Sequence, residues 1–312
     1  MTEAVVAQAL EAWGLKGARV ALVAERENTV FRVDGGGRVL ALRLRRAGYR
    51  SDAEILSELD WLHWLAEQGL SVPRPVPSSA GRLVEVIDGR RVDMAAWLTG
   101  TPLGASGQPL ALADPAVTFH ALGQTMARLH TESDRFTLPP GFSRCRWDRA
   151  GLVGDAPVWG RFWENPVIAP DLRARLAKFR HRADAALQEL NGRLDQGLIH
   201  ADLVRENVLQ HAGGLALIDF DDAGFGYRLF DIATALIKNL AEPAYPQIEA
   251  ALIAGYRSLR PLDTGPLPLF LALRAVTYLG WIVPRLDERG NHARCTRFAA
   301  QAENLVAVWM GN

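Results

Sequence analysis

The sequence predicts an α+β chain in two lobes, a small β-rich N-lobe over residues 1–97 and a larger helical C-lobe over 98–312. Three observations predict it. Short apolar strands bounded by turn residues fill much of the first hundred positions, whereas beyond Asp231 apolar residues recur at helical spacing nearly to the end. Gly100 to Gln108 is rich in Gly, Pro, Ser and Thr, the composition of a boundary or surface loop. At 312 residues the chain is also too long for most single small cores.

The elements follow in order. Met1 to Trp13 has helical apolar spacing and stops at Gly14. Ala18 to Ala24, Thr29 to Val33 and Arg38 to Arg45 read as strands. Gly35-Gly36-Gly37 joins the last two as a hairpin turn, so this triple glycine is not a phosphate loop. Ser51 to Gln68 is a helix with Ser51 as N-cap, Glu54 at the capping-box position and Gly69 as the stop. Val72 to Pro77 is an extended connector, and Leu83 to Ile87 pairs with Val92 to Trp97 across Asp88-Gly89. In the second lobe Ala116 to His130 and Leu172 to Leu194 are helices, and Pro139 to Pro170 is irregular. The last helices are Ile232 to Leu240, Pro246 to Leu259, Leu269 to Val283 and Arg294 to Trp309.

Composition excludes several classes. Hydrophobic residues make up 49% and charged residues 22%, with a formal net charge of zero, which gives no global pull toward nucleic acid or membrane. No apolar run reaches the length of a membrane span. Cys145 and Cys295 are too few and too far apart for a disulfide framework or a zinc site, so they read as reduced thiols. Met1 to Gly14 lacks a basic n-region, and a cytoplasmic protein is expected.

The chemistry concentrates in one run, Leu198-Ile199-His200-Ala201-Asp202-Leu203-Val204-Arg205-Glu206-Asn207, followed by Leu217-Ile218-Asp219-Phe220-Asp221. The spacing H-x-D-L-x-x-x-N, then a strand ending in Asp-Phe, is that of phosphoryl transfer from ATP. One Asp must sit beside the attacking hydroxyl and accept its proton, while an Asn and a second Asp hold magnesium on the phosphates. Turn-capping by Asp and Asn is the simpler explanation, but it does not require the flanking apolar strands.

These residues resemble the aminoglycoside phosphotransferase and choline kinase superfamily, within a protein-kinase-like fold. More narrowly, the chain is similar to the branch of homoserine-kinase-like proteins, hydroxylysine kinase and the bacterial stress-response Ser/Thr kinase. The resemblance covers almost the whole chain, from Glu27-Asn28-Thr29-Val30-Phe31-Arg32-Val33 and Leu40-Ala41-Leu42-Arg43-Leu44 through Trp97-Leu98-Thr99-Gly100 and Ala127-Arg128-Leu129-His130. It ends in Asp219-Phe220-Asp221-Asp222-Ala223-Gly224 and Leu229-Phe230-Asp231-Ile232-Ala233.

The resemblance implies roles. Asp202 is the expected catalytic base, Asn207 and Asp219 the magnesium ligands, and His200 and Asp231 the supports of the catalytic loop. N-capping of the following helix is the plainer job for Asp231. The usual phosphate-gripping Lys is absent, since no lysine lies between Lys16 and Lys178. Arg43 takes its place by match to V-A-I-K, with Glu58 as partner and Glu54 as rival. Arg45 falls on the same strand face, so alternation alone does not separate the two.

The loop from Glu25 to Asn28 should cover the phosphates, with Asn28 offering its amide. The adenine should meet backbone near Ala95 to Leu98, Ala96 and Leu98 above all. Only eleven residues separate Asp219 from Asp231, which leaves no room for an activation loop and favours a small alcohol. Asp148, Glu164, Asp221, Asp222, Tyr278 and Trp281 are candidate substrate residues. The expected function is ATP- and magnesium-dependent phosphorylation of a hydroxyl on an amino alcohol, sugar or aminoglycoside-like molecule. A Ser/Thr protein kinase and a nucleotide-binding pseudokinase are the alternatives.

Overall fold

The computed structural model describes residues 2–25 and 28–311. The chain forms two compact units. Unit 1 holds residues 1–101, 135–144 and 209–218; unit 2 holds 102–134, 145–208 and 219–312.

Unit 1 starts with α1 (Thr2–Ala12) and a six-stranded antiparallel sheet. The strands are β1 (Arg19–Glu25), β2 (Thr29–Gly35), β3 (Arg38–Leu44), β4 (Pro75–Val76), β5 (Val84–Ile87) and β6 (Arg90–Ala96), with α2 (Asp52–Glu67) between β3 and β4. Gly36 and Gly37 sit at positive φ in the turn joining β2 to β3, where a residue without Cβ is unstrained. The 72–77 connector differs from expectation. Pro75 and Val76 pair with β6 as a short edge strand, a place where a proline's missing N–H does no harm.

Strand alternation on β3 sorts its residues. Leu40, Leu42 and Leu44 join Val5, Ala9 and Leu10 of α1 in the core, which turns Arg43 and Arg45 to the opposite face. There α2 waits, fixed at its start by the Ser51–Glu54 capping box. Unit 1 also takes in Thr101 of β7 (Thr101–Pro102), residues 209–211 of β10 (Val208–His211) and the whole of β11 (Gly214–Leu217).

Unit 2 contains α3 (Pro115–Arg135), β8 (Arg146–Trp147), α4 (Arg149–Val153), α5 (Pro170–Glu189), β9 (Gln196–Ile199), β12 (Gly224–Tyr227), α6 (Arg228–Ile237), α7 (Tyr245–Arg257), α8 (Leu267–Trp281) and α9 (Asn291–Met310). The stretch expected to be irregular therefore carries β8, α4 and a 3-10 turn over Phe162–Glu164. A three-stranded sheet places β12 antiparallel to β9 and parallel to β8. Glycine is required in β12: a Cβ on Gly226 would lie 2.5 Å from Ile199 Cδ1, and one on Gly224 2.2 Å from the Cys145 carbonyl oxygen. No described helix is long and apolar enough to cross a membrane.

Candidate active site

β9 ends at Ile199, and Gly224 at the start of β12 lies opposite it. The segments 200–207 and 219–223 thus leave the sheet from adjacent strand ends. Both begin under strain. Ala201 has φ 66° and Asp219 φ 68°, left-handed values that are uncommon for residues with a Cβ. Such conformations persist only where surrounding contacts enforce them, and they gather at functional sites.

Helix α6 enforces the first one from both ends. Asp231 lies in its first turn, with Tyr227 as N-cap, so capping is not its job. Its buried carboxylate accepts the amides of His200 (2.9 Å) and Ala201 (2.6 Å), and Nε2–H of His130 donates to it at 3.0 Å. Tyr256 then donates its hydroxyl to Nδ1 of His130 at 2.8 Å. At the other end of α6, Arg205 donates to the carbonyl of Lys238 (2.6 Å) and to Asn239 Oδ1 (2.7 Å). The His200 ring packs on Phe220, with centroids 4.3 Å apart, and its Nδ1 accepts the amide of Asp202 at 3.2 Å.

This support has a pH signature. Burial, then repulsion from Arg228, pushes the His130 imidazole down to about 4, so it folds neutral. Below pH 6.5 the unfolded chain takes up a proton that the folded chain refuses. The stabilisation is complete above pH 6.5 and is lost as pH falls toward 4, by an amount on the order of 3 kcal/mol. Asp202, with its raised pKa, acts in the opposite sense over part of that window. The difference between wild type and His130→Gln in urea melts from pH 7 to 4 is therefore the measurement. The wild type is expected to lose more stability than the variant, and parallel curves would count against this role for His130.

Asp202 is gripped on both oxygens. Oδ1 accepts from Nη2 of Arg274 at 2.6 Å, and Oδ2 accepts from Nδ2 of Asn207 at 2.9 Å. The same Nδ2 also reaches the Asp202 carbonyl at 2.9 Å, which leaves Oδ1 of Asn207 as that side chain's acceptor for a cation. Burial pushes the Asp202 carboxyl up to about 6; Arg274 pulls it down, and Asp222 and Glu206 push it up. Its side chain keeps 24% exposure, so the base stays reachable. Asp219 is exposed. An exposed carboxylate and an amide oxygen are hard donors suited to magnesium held mainly by phosphates. No cluster of three or more His, Cys, Asp or Glu able to hold a metal occurs among the described residues.

Arg274 escaped sequence reasoning. It is fully buried on α8, with its guanidinium 4.6 Å from the Trp159 ring centroid and 4.4 Å from that of Tyr278. Of the candidate substrate residues, Tyr278 accepts Arg274 Nη2 at 3.1 Å and Asp222 accepts Trp159 Nε1 at 3.3 Å. Asp221 is buried. Trp281 is flanked by Arg285 and Arg294, and its centroid is 6.3 Å from that of Trp159. Asp148 is occupied elsewhere: it caps α4 through the Gly151 amide and pairs with Arg146. Glu164 pairs with Arg161 on the surface.

Unit 1 holds the expected nucleotide residues. Arg43 donates to Glu58 Oε1 at 3.1 Å and to Asp93 Oδ1 at 2.8 Å. Arg45 donates to both oxygens of Glu58 and to Asp93 Oδ2. Arg144 lies 3.5 Å from Glu58. Burial opposes ionisation of Glu58, but Arg45, Arg43 and Arg144 together hold its carboxyl far below the usual range. Asp93, directly across the sheet from Arg43, went unnoticed in the sequence. Glu54 does not rival Glu58; it closes the capping box.

Arg45 is thus not a solvated neighbour of Arg43. Arg45→Ala removes one side of a buried pair and is expected to cost about 3–5 kcal/mol of stability in a denaturant melt. A loss below about 1 kcal/mol would mean the network relaxes around the gap.

Asn28 Oδ1 accepts the Arg46 amide at 3.1 Å; Arg26 and Glu27 of the expected phosphate cover, like Met1 and Asn312, lie outside the described residues. The amides of Ala96 and Trp97 are taken by the carbonyls of Arg74 and Val39. Leu98 offers the first amide after β6 with no hydrogen bond among the described residues.

Comparison with known proteins places this geometry. Residues 20–262 match the phosphotransferase enzyme family. The structure of a microcompartment-associated aminopropanol kinase is 30% identical and superposes with a TM-score of 0.86, covering 99% of this chain and 98% of that one. An amicoumacin kinase in complex with AMP-PNP, Ca2+ and Ami is 25% identical, with a TM-score of 0.79 over 97% of this chain and 93% of its own. Homoserine kinase of Gluconobacter oxydans is 28% identical across 82% of this chain and 78% of that protein. The family match runs over well more than half of the chain and takes in the segments that carry Asp202, Asn207 and Asp219, and the chain belongs to the phosphotransferase enzyme family.

Proposed function

We propose that this protein transfers the γ-phosphoryl group of ATP to the hydroxyl of a small amino alcohol. The observation that carries the reading is Asp202, fixed on both oxygens by Arg274 and Asn207 and still reachable. The hydroxyl oxygen attacks the γ-phosphorus, the bond to the β–γ bridging oxygen breaks, and the hydroxyl proton passes to Asp202. A carboxyl raised toward neutrality suits a base working near pH 7. Asn207 Oδ1 and Asp219 would hold magnesium, which supplies positive charge against the phosphate oxygens. Arg43 is the phosphate grip: its side chain is 11% exposed against 3% for Arg45. The Leu98 amide is the adenine contact.

The bound AMP-PNP and Ca2+ of the amicoumacin kinase support nucleotide and metal. Aminopropanol and homoserine, named for two relatives, both join an amine to a hydroxyl. Asp222, oriented by Trp159, is the carboxylate placed to meet such an ammonium.

ATP with magnesium is expected to raise the Tm, by about 2.7 kcal/mol of stabilisation at a hundredfold excess over Kd, and EDTA to abolish the rise. ATP turnover over a panel of amino alcohols, sugars, aminoglycosides and a generic protein then identifies the acceptor class. Absence of any shift at saturating ATP would remove the reading, and turnover on the generic protein alone would replace the acceptor.

A further inference from the structure

Two opposite charges, Glu206 and Lys238, flank the base without bonding to it. Glu206 sits in the catalytic loop between two pinned residues. Arg205 before it donates to the Lys238 carbonyl and to Asn239, and Asn207 after it donates to Asp202. The Arg205 clamp thus brings Glu206 beside the end of α6, where Lys238 lies. Nζ of Lys238 is 5.4 Å from the Tyr278 ring centroid, and the Tyr278 hydroxyl and Asp202 share Nη2 of Arg274. All of these residues belong to unit 2, and Glu206 and Lys238 are both half-buried.

The two charges do not pair with each other. Lys238 forms no ion pair among the described residues; its Nζ donates to Ser106 Oγ at 2.6 Å. Oε2 of Glu206 is buried and has no hydrogen-bond partner among the described residues. They are near enough to act on one another: burial pushes the Lys238 ammonium below its usual range, and Glu206, ahead of Asp202, raises it. An ammonium carries three N–H donors, and Ser106 takes one. Open donors and an open buried acceptor therefore lie side by side next to the base.

A buried acceptor without a donor is costly, and such groups gather where function fills them. The molecule that fills this place has to bring a donor to Glu206 and an acceptor to Lys238 together. A plain amino alcohol satisfies Glu206 and leaves Lys238 open. An α-amino acid satisfies both, because one carbon carries its ammonium and its carboxylate, and both bonds are charge-assisted. We propose that the acceptor is a hydroxy amino acid, whose hydroxyl meets Asp202, whose carboxylate meets Lys238 and whose ammonium meets Glu206 as well as Asp222. This narrows the amino-alcohol reading and rests on it.

Two pairs of acceptors that differ by the carboxylate alone are the test, with the full-length protein, ATP and magnesium. They are L-threonine against (R)-1-aminopropan-2-ol and L-homoserine against 3-aminopropan-1-ol. In at least one pair the amino acid is expected to have the higher kcat/KM, by at least about tenfold and through KM. Lys238→Met is expected to reduce that ratio at least about tenfold, and Lys238→Arg to recover part of it. Glu206→Gln is expected to raise KM for both members of the pair. The wild-type ratio needs no variant, so the test holds even if Lys238→Met does not fold. Equal or better turnover of the amino alcohols, an unchanged ratio in Lys238→Met or an unchanged KM in Glu206→Gln overturns the proposal and leaves the amino-alcohol reading standing. No turnover of any acceptor, with no Tm shift from ATP and magnesium, removes both.

Discussion

Asp202→Asn is expected to lower kcat by about 10²–10⁴, the range of general-base catalysis, with the Kd for ATP little changed. The substitution removes the proton acceptor and does a second thing. Both oxygens of Asp202 accept from donors, Arg274 Nη2 and Asn207 Nδ2. An asparagine must turn its own NH2 toward one of them, and a donor then faces a donor. Arg274, fully buried, is also left without its carboxylate. Asp202→Ala separates the two effects, because it removes the base and leaves no mispaired amide. Steady-state kinetics on both variants, with ATP affinity from titration, is the measurement. If Asp202→Ala recovers turnover that Asp202→Asn lacks, the loss is one of mispairing and Asp202 is not the base.

The sequence shows some of this site plainly and hides the rest for physical reasons. Asp202, Asn207 and Asp219 stand in one short run, and phosphoryl transfer dictates their spacing, so local reading reaches them. Ser51 and Glu54 are equally local, since a capping box spans four consecutive residues. The resemblance implies that Asp231 supports the catalytic loop, and three dimensions add which groups it holds, the amides 31 and 30 residues earlier. On β3, alternation puts Arg43 and Arg45 on one face and stops there. The structure shows that they share Glu58 and Asp93, a question of α2 and β6 packing that no strand pattern contains. Residues 135–144 and 209–218 return to unit 1 from the middle of the chain, and nothing in their composition marks the return.

Asp93 and Arg274 share a signal that could have been used. Each is a lone charge within an apolar run, residues 92–96 of β6 in one case and α8 in the other, and each is fully buried. A charge buried there must have an opposite charge beside it. The sequence states that a partner exists; only the fold names Arg43 and Arg45 for the first and Asp202 for the second.

That pairing makes Arg274 a positioning residue for the base. Its Nη2 ties Asp202 Oδ1 to the hydroxyl of Tyr278, while the rings of Trp159 and Tyr278 hold the guanidinium plane. Arg274→Met keeps much of the volume and removes the charge-assisted bond, a loss of about 1.5–3 kcal/mol that corresponds to roughly 10–100-fold in kcat. Arg274→Lys is expected to recover part of the loss, since an ammonium still meets the carboxylate but lacks the planar fork between the rings. Loss of packing alone would lower Tm in either variant, so Tm does not decide the matter. The decisive measurement is kcat in the Asp202→Asn background. If Arg274 works through Asp202, adding Arg274→Met to Asp202→Asn is expected to lower kcat little further, because groups that act as a unit are not additive. A full additional 10–100-fold drop in the double variant would show that Arg274 serves the reaction by some route other than the base.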